Sequence, residues 1–215
     1  MATHILTNKN SITNNFLAEL RDVNIQKDSW RFRKNLERLS MVMAVELSQP
    51  LHYPIIETAT PLGISASNLL SDSIVVASIL RAGIPMHNGF LEVFDQAESA
   101  FVSAQRKVHK TGNFDIELSK VSAPDLSNKV LVLCDPMLAT GTSIDVAIQA
   151  LAEYGTPQSV HICAAIGSRV GKEHVERLYP EAQLWIGDLD EELTGKSYIV
   201  PGLGDAGDLA FGQKI

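Results

Sequence analysis

The stretch Val130–Ser143, reading Val-Leu-Val-Leu-Cys-Asp-Pro-Met-Leu-Ala-Thr-Gly-Thr-Ser, constrains the fold more than any other part of the chain. Val130 to Cys134 is a short, unbroken apolar run, the pattern of a strand covered on both faces of a parallel sheet. Asp135 then falls at the strand's carboxyl end, where open α/β sheets place their ligands. From Ala139 to Ser143 the residues are small or hydroxylated, so backbone N–H groups can close on an anion without side-chain obstruction. Ser143 is expected to cap a helix with Ile144, Ala147, Ile148 and Leu151 on its apolar face. Strand, acid, loop and helix N-terminus together describe a cradle for a phosphate carried by a hydroxylated sugar. An ordinary strand–turn–helix connection is the competing reading of this stretch taken alone.

The rest of the chain supplies more such units. Ser73 to Leu80 is a second buried-strand run, and Arg81-Ala82-Gly83 follows it directly. A guanidinium at the end of a parallel strand, beside Gly, is placed to grip a pyrophosphate through two parallel bonds. Further strands are read at Ile55–Ala59, Ala100–Ala104, Ser159–Ile166 and Gln183–Ile186. Helices follow Pro85, through Phe90, Leu91 and Phe94, and span Lys172–Leu178. The order from Ser73 onward predicts a single α/β domain, 1–215, built on a doubly wound parallel sheet. Residues 1–50 read as helical arms: Ile12, Phe16, Leu17 and Leu20 fall at helical spacing, and Asp28 caps a helix with Phe32, Leu36, Leu39, Met43 and Leu47 on one face. Residues 105–120, with Arg106, Lys107, His109 and Lys110 around Gly112, read as a mobile hairpin or small β flap.

Composition excludes several functions. In 215 residues the net charge is −7, and no basic run exists to neutralise the phosphates of a nucleic acid. Two cysteines, Cys134 and Cys163, sit in strand-like runs and read as buried thiols rather than a disulfide or metal site. No apolar run reaches membrane length, and the start, Met-Ala-Thr-His, has no basic flank before an apolar core. A cytoplasmic location is expected. Arg31, Arg33, Lys34 and Arg38 form a basic face on the second helix, read as solvated, with a regulatory nucleotide such as GTP as the alternative occupant.

The chain resembles the uracil phosphoribosyltransferases at four separated places. Asp135-Pro136-Met137-Leu138-Ala139-Thr140-Gly141, followed by Thr142 and Ser143, is similar to their phosphoribosyl-pyrophosphate (PRPP) loop. That loop usually has Gly where Thr142 stands here. Leu80-Arg81-Ala82-Gly83 is similar to their pyrophosphate loop, which relatives often hold with a non-proline cis peptide. Arg106 aligns with the pyrophosphate-binding Arg of their flap. Tyr198 to Asp208 resembles the uracil loop, with Leu209 where the family has Arg. The resemblance implies PRPP binding by Arg81, Arg106, Asp135 to Ser143 and Asp205, and uracil binding by Ile199, Gly204, Asp205 and Ala206 within a C-terminal segment, 196–215. It implies catalysis by Asp135, Arg81, Arg106 and Asp205, with Mg2+ carried on PRPP instead of a protein metal site, and a homo-oligomer.

General chemistry alone does not single out the C-terminal loop. Gly202-Leu203-Gly204-Asp205-Ala206-Gly207 satisfies the dinucleotide pattern G-x-G-x-x-G, but too few residues follow for the crossover helix and second strand that pattern requires. Two other readings stay open: the same fold acting on a different base, and a non-catalytic regulator binding UMP and RNA.

Overall fold

The computed structural model describes residues 1–108 and 114–213, with backbone alone for 104–108 and 114–118. In chain order the elements are β1 (Ala2–Ile5), α1 (Thr13–Arg21), α2 (Ser29–Ser48), β2 (Ile55–Thr60), β3 (Gly63–Asn68), β4 (Ile74–Leu80), α3 (Ile84–Leu91), β5 (Glu98–Val108) and β6 (Phe114–Ser122). There follow β7 (Val130–Cys134), β8 (Met137–Leu138), α4 (Thr142–Leu151), β9 (Ser159–Ser168), α5 (Arg169–Leu178), β10 (Gln183–Asp190), β11 (Glu192–Leu193), β12 (Ile199–Val200) and α6 (Ala206–Phe211). The main sheet runs β1-β10-β9-β7-β4-β5-β6, with β8 added beside β9. Every pairing in it is parallel except β5 with β6.

The alternation of side chains along the central strands builds two cores, as the period of two requires. Val76, Val130, Val132 and Cys134 face α2 and α3, meeting Leu36, Met43, Met86 and Phe90. Val75, Leu131 and Leu133 face the opposite way, against Ile144, Ala147 and Leu151 of α4 and Val175 of α5. Strands covered on both faces read as continuous apolar runs, which is why β4 and β7 are legible in the sequence. The helix after β4 therefore covers one face and the helix after β7 covers the other. β4 and β7 are neighbours, so their connections part at their carboxyl ends and open a crevice, the place where such sheets bind ligands.

Helix α2 forms as its sequence predicts. The Asp28 carboxylate accepts from the N–H groups of Trp30 (3.0 Å) and Arg31 (3.1 Å), and Phe32, Leu36, Leu39, Met43 and Leu47 are all buried. Each such side chain contributes about 1.5–3 kcal/mol of transfer free energy. Gly89 brings α3 into backbone contact with α2, since a Cβ there would lie 2.2 Å from the Glu37 carbonyl oxygen.

Several elements differ from expectation. The first residues are not helical: Ala2–Ile5 forms the edge strand β1 beside β10. Four residues on a half-covered edge are too few to show a period. Ile12 is exposed rather than on the buried face of α1. Phe94 lies past the end of α3. Ile55–Thr60 pairs with Gly63–Asn68 in a separate hairpin, exposed along nearly its whole length. β5 and β6 extend beyond the sheet as a hairpin in which Arg106 pairs with Ile116. The Arg106 side chain and residues 109–113, His109 included, lie outside what the structure describes. Cys134 and Cys163 are fully buried free thiols, and burial pushes both well above the usual thiol range.

Candidate active site

Three segments meet at the carboxyl ends of β4 and β7 around a cavity of about 210 Å³. Leu80 to Ala82 form one wall, Asp135, Met137 to Gly141 and Ser143 a second, and Tyr198, Ile199 and Gly204 to Gly207 a third. These fall within the sequence-predicted segments, with Ile79, Ile144 and Ser197 added to the lining. Pro136 is buried beneath the second wall, and Thr142 stands in the first turn of α4, behind it. Among the predicted residues, only the side chain of Arg106 falls outside the described set.

On the first wall the Leu80–Arg81 peptide is cis. Gly83 turns the chain back, its N–H donating to the Ile79 carbonyl at 2.9 Å. A Cβ on Gly83 would lie 2.8 Å from the Cys134 carbonyl oxygen, so only glycine lets this loop pass so close to β7. The Arg81 guanidinium donates to the Gly212 carbonyl at 2.9 Å and lies 3.7 Å from an Asp208 carboxylate oxygen. Its Nε is buried with no partner among the described residues. A half-buried cation with an unused donor at the cavity wall is suited to an anionic ligand.

On the second wall, Asp135 extends β7 and is itself buried. Burial pushes its carboxyl up to about 7; the nearby Asp205 charge acts in the same direction and the Met137 N–H opposes both. Met137 and Leu138 pair with Ile166 and Gly167 of β9, so part of the loop is anchored as a short strand. The helix cap differs from expectation. Gly141, at φ +82°, is the residue before the first turn of α4, and Ser143 lies inside that turn. Gly141 has no side chain to cap this end, and the Thr140 hydroxyl takes only the Thr142 N–H, at 3.4 Å. Uncapped N–H groups and the helix dipole leave a site for a phosphate. The Thr142 hydroxyl lies 3.0 Å from that of Thr140, so the residue that departs from the family pattern ties the loop to itself.

The sequence did not reveal what backs this loop. Ser168 ends β9, accepts from the Gly171 N–H at 2.9 Å and donates to the Ala139 carbonyl at 2.5 Å. Gly171 itself approaches so closely that a Cβ would lie 2.4 Å from the same carbonyl oxygen. A serine before a helix was a readable capping signal; its contact with a loop some thirty residues earlier was not.

On the third wall, Asp205 caps α6, accepting from the Asp208 N–H at 3.0 Å. This six-residue helix follows the Gly-rich run where a dinucleotide fold would need a full crossover. Ile199 and Ala206 are buried, and Leu209, at the family's Arg position, packs partly buried against the core. The basic face of α2 is engaged within the chain: Arg31 pairs with Glu19, Lys34 with Glu37, and Arg33 donates to the Ala210 carbonyl.

A parallel sheet that parts its connections beside such an anion cradle is the arrangement of the type I phosphoribosyltransferases. The orotate phosphoribosyltransferase of Mycobacterium tuberculosis, solved with inorganic phosphate, shares this fold at a TM-score of 0.51, covering 86% of this chain and 94% of its own at 12% identity. Within that class the chain belongs to the uracil phosphoribosyltransferase family, whose sequence model matches residues 7–213. The uracil phosphoribosyltransferase of Porphyromonas gingivalis is 45% identical over 208 residues, 96% of each chain. The AQ2163 protein of Aquifex aeolicus has a structure similar at a TM-score of 0.87, with 29% identity and 98% of each chain covered.

Proposed function

We propose that this enzyme transfers the phosphoribosyl group of PRPP to N1 of uracil, giving UMP and pyrophosphate. The observation that carries the reading is the convergence on one cavity of an arginine peptide, an uncapped helix N-terminus and a loop of exposed main chain. The uncapped first turn of α4, with Thr140 and Ser143, takes the 5′-phosphate. Asp135 accepts from the ribose hydroxyls, and its charge favours the positive character that develops at the anomeric carbon. That carbon's bond to pyrophosphate breaks as its bond to uracil N1 forms. Arg81, freed from Gly212 and Asp208, and Arg106 from the flap stabilise the departing anion. Asp205 caps α6 through Oδ1, which leaves Oδ2 to take the N1 proton. Positioning supplies much of the acceleration, so the reaction needs no protein nucleophile.

Magnesium enters this scheme on the substrate. The ion would be carried by the oxygens of PRPP rather than by a dedicated set of protein ligands. When bound, the ion neutralises charge on the leaving group. We also place the enzyme in the cytoplasm, as an assembly of identical subunits without nucleic-acid partners. The exposed β2–β3 hairpin, with Ile55, Leu62 and Ile64 in solvent, supports assembly. A nucleotide effector such as GTP draws no support from the internally paired face of α2.

The direct test is to combine the protein with magnesium, PRPP and uracil and to measure UMP. Conversion of another base with uracil inert would reassign the substrate. RNA binding without turnover would instead make the chain a regulator.

A further inference from the structure

Arg21, on helix α1, lies outside the four motifs and does not line the cavity. Its guanidinium nevertheless makes four hydrogen bonds at one spot. Nη1 donates to Asp190 Oδ2 at 2.8 Å and to the Gly202 carbonyl at 2.9 Å. Nη2 donates to Asp190 Oδ1 at 2.8 Å and to Asp188 Oδ2 at 2.7 Å. Asp190 in turn accepts the Gly202 N–H at 2.9 Å. Both polar groups of one peptide residue in the base loop are thus held by a single ion pair. That pair is well shielded, with the side chains of Arg21 and Asp190 only 19% and 6% exposed. Burial works against the Arg21 charge, and the bonds to Asp190 and Asp188 outweigh it, holding the guanidinium above its ordinary range.

Gly202 is the hinge point of the base loop. It has φ +57°, and a Cβ there would lie 2.2 Å from the Ile199 carbonyl oxygen, so the chain folds back on itself between Ile199 and Gly204. Those two residues line the cavity on either side of the hinge. The loop packs few large side chains of its own; Leu203 is the buried anchor. A glycine-rich segment read through main-chain groups has little rigidity of its own and needs an outside support to hold its donors and acceptors in place.

We infer that Arg21 and Asp190 are positioning residues for the base: the pair fixes the Gly202 peptide and so sets the main-chain pattern that Ile199 and Gly204 to Ala206 present to uracil. This inference rests on the proposed function for the identity of the base, and on geometry alone for the support of the loop. The N-terminal arm thereby becomes part of base recognition. The pair touches neither the Arg81 peptide nor the Asp135–Ser143 loop, and the Asp205 side chain is held by its own cap on α6, so PRPP binding should depend on the pair far less than uracil binding does.

Two variants test this, Arg21→Lys, which keeps a charge but loses the fork, and Asp190→Asn, which keeps an acceptor for Gly202 but loses the ion pair. Amide hydrogen exchange reads the loop without any activity. Exchange across residues 199–204 should accelerate at least about tenfold in both variants, with β4 and β7 unchanged. In steady-state assays the KM for uracil should rise about tenfold or more while the KM for PRPP stays within about twofold, because displaced main-chain groups affect only the ligand they read. Unchanged exchange at 199–204, or an equal acceleration throughout the sheet, would overturn the positioning role whatever the enzyme does. Faster exchange with both KM values raised alike would leave the pair as a structural support and refute its part in base recognition. Should the wild type make no UMP at all, the proposed function falls, and the exchange result still decides whether the pair holds the loop.

Discussion

Asp135 stands in a position that favours chemistry over stability, and replacing it with Asn separates the two. In the folded enzyme its carboxyl is raised from an ordinary 3.8 to about 7, chiefly by burial, with the Asp205 charge adding to the effect. Above pH 7 both folded and unfolded chains carry the charge, and the folded one holds it in an unfavourable place. Below pH 4 both are neutral and the difference vanishes. The stability attached to this group is therefore present in acid and lost as pH rises from about 4 through about 7. A difference of about three pK units corresponds to at most about 4 kcal/mol. Asn keeps an oxygen for the Met137 N–H but brings an amide donor that must find a partner, offsetting about 1–3 kcal/mol. At pH 8, with neither magnesium nor PRPP present, Asp135→Asn should then be more stable than wild type by about 1–3 kcal/mol in urea unfolding. The gain should shrink steadily toward pH 4. Turnover should fall by the equivalent of about 2–4 kcal/mol, the usual loss when a preorganised charge is removed from beside a developing cation. Wild-type kcat/KM for PRPP should also climb with pH through about 7 as the carboxyl ionises. A stability difference that does not change with pH, or a variant less stable than wild type at pH 8, would refute this account of the site.

Three further outcomes follow, the first from the proposed function and the other two from the geometry of the site. Arg106→Ala should raise the KM for PRPP by at least about tenfold and leave that for uracil nearly unchanged, since a charge-assisted bond to the pyrophosphate is lost; equal rises in steady-state kinetics would remove Arg106 from pyrophosphate binding. Ala206→Val adds bulk at a position only 2% exposed and should impair uracil use while PRPP titrations stay close to wild type; a normal KM for uracil would show that the loop has room to spare. Gly171→Ala puts a methyl group 2.4 Å from the Ala139 carbonyl oxygen, so it should lower stability by about 1–3 kcal/mol and weaken PRPP binding together. An unshifted melting temperature would mean that α5 does not brace the phosphate loop.

The parts of this molecule that were readable in advance share one physical property: their structure follows from residues close in sequence. β4 and β7 are apolar runs because both faces of the sheet are covered, and α2 carries its cap and its buried stripe within twenty residues. Arg81 and Asp135 were legible because each terminates such a strand, and the ends of neighbouring parallel strands share one edge of the sheet. β1 and β3 were not, being short or solvated on most sides, with no period imposed by burial. The cap of α4 was misplaced for a related reason. Ser143 has the right side chain, but His174 and Val175 of α5 crowd position 141, where a Cβ would lie 2.9 and 3.0 Å from them. A distant contact therefore requires glycine there and leaves the helix end bare for a ligand.

The base loop shows where local reasoning ends. Nearly half of its residues are Gly, Ala or Pro, and such a composition by itself specifies a turn rather than a recognition surface. What makes it a surface is support from elsewhere: α1 supplies Arg21, β10 supplies Asp190, and the two meet at Gly202 across some 180 residues of sequence. A trace of this was present in the alternating acids Asp188 and Asp190 near the end of a strand that runs through the apolar stretch Leu184 to Ile186. Acids on one face at the carboxyl end of a parallel strand need either a ligand or a cation from the protein itself. Here Arg21 answers both carboxylates, which removes them from the list of ligand groups and makes them part of the frame. On the inference drawn above, selectivity in this pocket resides in the fixed positions of main-chain groups, and a residue remote from the base, Arg21, helps to set them.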